Sequence, residues 1–221
     1  MSQFNCMRAG CRDVFHAFLV ENAEYEGFFE IPKLDYSCEK PLKIIAFSKV
    51  IKSKDYDCWV HFFEDDVIFE RIWNNPRKYL SILKKFKGVF SPDFSVYRDM
   101  PLVMQYWNIY RSRAIARWLQ DNGINVITNV RWGDRRTYSI SCCGVPKNGT
   151  IVVGSHGTLK NVNDREWFIE GLKYVVDTVH PKTIVVYGSI PDSIFARYKE
   201  KGILILQFDS SFAISRRKED A

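Results

Sequence analysis

"TIVVGSHGTLKNVNDREWFIEGLKYVVDTVHPKTIVVYGS" (residues 150–189) is a complete unit from which the architecture can be read outward. It opens and closes on Ile/Val runs with little polar alternation, as a strand buried on both faces does. Between them Asn163 and Glu166 have the spacing of a capping box. Trp167, Phe168, Leu172, Val175 and Val179 mark one apolar face, and His180-Pro181 ends the pattern. Strand, crossover helix, strand requires parallel pairing and a right-handed connection.

The same rhythm extends both ways. Apolar runs occur at "KIIAFS" (43–48), "CWVHFF" (58–63), "GVFSPDF" (88–94), "INVITN" (124–129) and "ILILQF" (203–208). Asn75-Pro76 starts one helix between them. Asp99 and Pro101 open the longest, in which Val103, Trp107, Tyr110, Ala114 and Trp118 recur at helical steps until Gly123. Asp192 and Ser193 start a short one that Gly202 closes. The link "KVIKSKDYD" is too short for a standard helical crossover, so the first two strands are expected to pair antiparallel or irregularly. The fold class is α/β with a mostly parallel sheet, a reduced or distorted (β/α) barrel. An open doubly wound sheet is the alternative. Residues 42–214 read as one domain, residues 1–41 as a segment wrapping it, and residues 215–221 as a disordered tail.

The totals suit one soluble domain: 221 residues, 46% hydrophobic and 26% charged. A net charge of +6 mildly favours an anionic partner, but the basic residues are scattered and form no stripe. The six cysteines contain no CxxC, and Cys6 and Cys11 lack a second pair to complete a zinc site. The charged N-terminus is no signal peptide and no run approaches 18 apolar residues, so a reduced, cytoplasmic protein without membrane contact is expected.

In parallel α/β folds functional groups gather beyond the carboxyl ends of the strands. Those ends are polar here. The second run leads into Glu64, Asp65 and Asp66, the third into Asp93 and Ser95, and the fourth into Asn129, Arg131, Trp132 and Asp134. The fifth leads into Ser155 and His156, and the sixth contains Tyr187. Each has two readings. Asp93 either bonds turn amides or takes a catalytic role. Arg131 either pairs with Asp93 or Glu64, or holds a phosphate or carboxylate in bidentate fashion. Trp132 packs or stacks on a base. The Glu64–Asp66 triplet is a solvated helix lead-in or, with Asp65 and Asp66 as oxygen donors, a Mg²⁺ site. His156, in "GSHGT", is the candidate for acid–base work, whereas His61 reads as a core histidine. No Walker, dinucleotide, GxSxG, HExxH or kinase motif occurs. A nucleophilic role for Cys142 or Cys143 has no His partner in sequence.

"WVHFFEDDVIFERIWNNPRKYL", "GVFSPDFSVYRDMP", "NVRWGD", "GVPKNGTIVVGSHGT" and "IVVYGS", in this order and spacing over residues 57–208, resemble an uncharacterised family of domains of unknown function. That family is common in phages, prophages and mobile elements of bacteria, and "EYEGFFEIPKL" looks like its lead-in. The resemblance implies a mobile-element context and supports Asp93, Arg131, Trp132, Asp134 and His156 as motif members. It lends no reaction. Two functions are expected to compete. One is a pocket that binds or processes a phosphate-bearing nucleotide or nucleic acid. Its catalytic residues would be Asp93, His156 and Glu64, and its ligand-binding residues Arg131, Trp132, Asn129, Asp134, Ser95 and Tyr187. The other is a non-catalytic accessory protein that binds a host protein or DNA, for replication control or counter-defence, through basic helix surfaces around Arg111, Arg113 and Arg117.

Overall fold

The computed structural model describes residues 13, 15–159 and 161–219. Two short strands, β1 (Tyr25–Glu26) and β2 (Ile31–Pro32), form an antiparallel hairpin. The apolar runs follow as β3 (Ile44–Ala46), β4 (Trp59–His61), β5 (Gly88–Phe90), β6 (Val126–Asn129), β7 (Thr150–Gly154), β8 (Thr183–Tyr187) and β9 (Leu204–Phe208). All seven pair in parallel and in chain order, and the sheet curls into a half-barrel with flanking helices. The order contains no reversal, which excludes the doubly wound alternative.

β3 and β4 are parallel, with Ile44 opposite Trp59, contrary to the antiparallel or irregular pairing that their short link suggested. A 3-10 helix, Phe47–Lys52, makes the return. At about 2.0 Å rise per residue it covers ~12 Å, and a three-residue strand needs only ~10 Å.

The helices are α1 (Asp66–Phe69), α2 (Arg71–Asn74), α3 (Pro76–Leu83), α4 (Leu102–Asp121), α5 (Arg135–Cys142), α6 (Val162–Val179), α7 (Asp192–Glu200) and α8 (Ser211–Glu219). The cap of α6 is Asn161, whose side chain accepts the Asn163 N–H, so the expected capping box is displaced by two residues. Where a disordered tail was expected from residue 215, the chain is helical to Glu219, and its last two residues lie outside the described residues.

Period-two alternation sorts the strand side chains into layers. Trp59, Phe90, Ile127, Val152 and Val185 point inward and pack with Ile44 and Leu206, so every strand of the sheet contributes to one inner cluster. Outward, Val60, Val89 and Val126 meet α1–α4, while Ile151, Val153, Ile184 and Val186 meet α6 and α7. Gly88 is fixed by this packing, because a Cβ there would lie 2.4 Å from the Trp59 indole. Two residues further along, the strands present His61, Asn129, Gly154 and Tyr187, where the apolar interior gives way to polar groups.

Arg113 of α4 anchors this end of β6. It is 2% exposed, and its guanidinium donates to the carbonyls of Asn129 (2.9 Å), Ser141 (2.9 Å) and Cys143 (3.3 Å). Burial pushes its pKa down to about 10, so it stays charged at neutral pH. Replacing Arg113 with Ala should leave the Ser141 and Cys143 carbonyls unpaired and the Asn129 carbonyl with only a long bond from Ser91 Oγ, and cost about 3 kcal/mol or more. Urea denaturation would measure it, and a loss below about 1 kcal/mol would show that Arg113 does not hold β6 and α5 together.

Candidate functional site

A cavity of about 820 Å³ opens at the carboxyl ends of the strands, and Glu64, Asp93, Arg131 and His156 all line it. These four come from different strand ends, brought together by the sequential parallel order. Its floor is the Phe63–Tyr187 ring stack (4.5 Å between centroids, 7° between planes), which lies over the inner apolar cluster.

The centre of the site is a three-residue arrangement. Asp93, in the loop after β5, is 8% exposed. One carboxylate oxygen accepts from Asn129 Nδ2 at 2.7 Å and the other from Arg131 Nη1 at 2.9 Å. The turn-amide role is therefore not the one its side chain takes. Burial raises the Asp93 pKa to about 6, against the opposing pull of Arg131 and Asn129. Arg131 keeps a quarter of its side chain exposed, and its Nε and Nη2 have no hydrogen-bond partner among the described residues. The Oδ1 of Asn129 is buried and also unpartnered.

The acidic triplet divides. Asp66 accepts from Ser95 N (3.0 Å) and Oγ (2.8 Å), so Asp66 and Ser95 fasten α1 to the loop after β5. Glu64 accepts from Ser48 N at 2.9 Å, and Asp65 stands exposed at the rim with no side-chain cap bond. Among the described residues no group of three or more His, Cys, Asp or Glu side chains is arranged to hold a metal ion. Cys6 and Cys11 lie outside the described residues.

Several expectations are corrected. Asp134 does not line the cavity. It caps α5, accepting from Arg136 N at 3.0 Å, and pairs with the Arg136 guanidinium, whose hydrogen bond lowers its pKa. Trp132 has an edge in the cavity, but its ring lies on Phe168 (5.6 Å) and its Nε1 donates to Trp167 O at 3.2 Å. α6 approaches so closely that a Cβ on Gly171 would sit 2.0 Å from that nitrogen, so Trp132 is a packing residue and not a free stacking platform. Tyr187 lines the floor, and its hydroxyl accepts from Ser211 N at 3.0 Å.

His156 is exposed at the rim, 6.1 Å from the Phe212 ring, and no carboxylate orients its imidazole among the described residues. His61 is a core histidine: it is 6% exposed, its Nδ1 accepts from Phe63 N, and burial lowers its pKa to about 4. Cys142 is buried, with its thiol pushed up to about 12, which removes it as a nucleophile.

The expected basic helix face is absent. Arg113 is internal, Arg111 pairs with Glu70 beneath Phe94, and Arg117 pairs with Asp35 and Asp121. Sequence reading missed Phe63, Tyr97, Arg98, Asp164 and Trp167, which also line the cavity. Arg98 pairs with Asp164 across its mouth, linking the loop before α4 to the first turn of α6.

The raised Asp93 pKa has a testable sign. The folded chain holds this proton more tightly than the unfolded chain, so the group's contribution to stability is full below about pH 3.8 and is lost as pH rises through about 6. The stability of the wild type relative to Asp93→Asn should fall by on the order of 2 kcal/mol between about pH 4 and 7. Parallel pH profiles in chemical denaturation would contradict a buried, titrating Asp93.

A family model described as "Domain of unknown function (DUF4417)" matches residues 23–209. The "Gene 1 protein" of Mycobacterium phage L5 is 32% identical over 171 residues, 76% of this chain and 74% of that protein. The "Gene 1 protein" of Mycobacterium phage D29 is 30% identical over 166 residues, covering 73% of this chain and 61% of that longer protein. No solved structure matches.

Proposed function

The chain belongs to the DUF4417 family of domains of unknown function, and from that premise we propose that its cavity binds a phosphate-bearing nucleotide together with Mg²⁺, as part of a phage or mobile-element function. The observation that carries the reading is Arg131. A buried carboxylate fixes one of its nitrogens while two others, with no protein partner among the described residues, remain for a ligand beside the cavity. A guanidinium oriented in advance loses little entropy on binding an anion and can grip two phosphate oxygens at once.

The surroundings support this. About 820 Å³ is within the usual range for small-ligand pockets. Ser211, at the N-terminal end of α8, lines the cavity, and such ends favour anions. Carboxylates nevertheless outnumber guanidiniums in the lining, with Glu64, Asp65 and Asp66 all on the β4 side. A bare phosphate would be repelled there. Mg²⁺ removes the conflict, because it is commonly held by one or two carboxylates plus the phosphates of its ligand. Glu64 and Asp65 would serve, since Asp66 is occupied by Ser95.

Isothermal titration calorimetry with ribonucleoside 5′-mono- and triphosphates, with and without MgCl₂, tests the proposal. Micromolar, Mg²⁺-dependent binding is expected, weakened about 30-fold (~2 kcal/mol) by Arg131→Ala and less by Arg131→Lys. Absence of binding by every nucleotide, or undiminished binding by a folded Arg131→Ala variant, would refute it.

A further inference from the structure

Resting on that reading, we infer that the ligand is a free mononucleotide, entering phosphate first, and not a nucleic-acid strand. Three features of the cavity lead to this.

The first is that the cavity is closed below. Trp59, Phe90, Ile127, Val152 and Val185 fill the half-barrel, Ile44 and Leu206 carry the packing to its edge strands, and the Phe63–Tyr187 stack lies on top. A strand cannot thread through a packed floor. An internal phosphodiester could reach Arg131 only if the strand bent down into the cavity and out again. A terminal phosphate reaches it alone.

The second is the charge of the mouth. Glu64, Asp65 and Asp66 edge one side, and Arg98 at the rim is already paired with Asp164. One Mg²⁺ would balance the phosphate of a single nucleotide. The remaining phosphates of a strand would lie against uncompensated carboxylates, a repulsion that is strongest at low salt. The third is the outer surface. A strand held at its end would need a basic track to continue along, and the longest helix offers none, because Arg111, Arg113 and Arg117 of α4 are all engaged within the fold.

The depth of the groups sets the ligand's direction. Arg131 and Asp93 lie inside, beside Gly154, where a Cβ would be 3.8 Å from Arg131 Nη1. Ring surface is offered towards the rim by Trp167 and by Tyr97, which is 55% exposed. The phosphate therefore goes inward and the nucleoside outward.

The test compares three probes by calorimetry in MgCl₂: a nucleoside 5′-monophosphate mixture, a linear 5′-phosphorylated 12-mer single-stranded DNA, and a circular single-stranded DNA. The mononucleotides should bind, the linear strand about tenfold more weakly or worse, and the circle not measurably. If either strand binds as tightly as the mononucleotides and Arg131→Ala weakens that binding, the inference falls while the phosphate-binding reading stands. If no probe binds, the inference falls, and the phosphate-binding reading falls with it only if the nucleoside triphosphates also fail to bind.

Discussion

The structure depends on the filling of the half-barrel's interior. One side chain from each of seven strands must meet the others in a single apolar cluster, and the direct partners Ile44 and Trp59, Phe90 and Ile127, and Val152, Val185 and Leu206 show how register secures it. A one-residue slip in any strand would exchange its inward and outward sets. The same alternation, continued two residues along, places His61, Asn129 and Tyr187 above the cluster, and two more along β6 places Arg131 at the cavity. The polar site is thus the next step of the pattern that builds the core.

That origin explains the electrostatics. Asp93 and Arg131 meet where the low-dielectric interior begins, so each needs the other, yet the cavity leaves Arg131 partly exposed on its far side. Asn129 adds a second donor to Asp93 and is itself held through its carbonyl by Arg113 from beneath. The positions of the two arginines show how similar sequence signals serve different ends. Arg113 is wholly enclosed by backbone acceptors, and Arg131 is half committed and half available.

Much of this could be read from residues alone, and the failures have physical causes. Ile/Val runs mark strands buried on both faces whatever the tertiary detail, so the parallel sheet and the convergence of residues 64, 93, 131 and 156 were legible. The β3–β4 return was not, because a 3-10 helix leaves no apolar period of 3.6. α5 escaped notice because "RRTYSISC" is rich in residues of modest helix propensity and is held by burial of Thr137, Tyr138 and Ile140 and by the Asp134 cap. Asp134 then looked like a site residue because a cap and a ligand-binding carboxylate share the same position at a strand-to-helix turn. The arginines of α4 looked like a surface because charge is a poor guide to burial when the partners are distant in sequence, carbonyls for Arg113 and the carboxylates of Glu70 and Asp35 for Arg111 and Arg117. Trp132 needed knowledge of Gly171, 39 positions away, whose missing side chain admits the indole.

The central claim is that strand ends distant in sequence form one ligand site around Arg131. Backbone amide NMR during titration with a Mg²⁺–mononucleotide tests it most directly. Saturable shifts should appear together at Asp93, Arg131 and residues 156–158, with the outer faces of α4 and α7 silent. Shifts confined to those outer faces, or shifts at one strand end without the others, would contradict it.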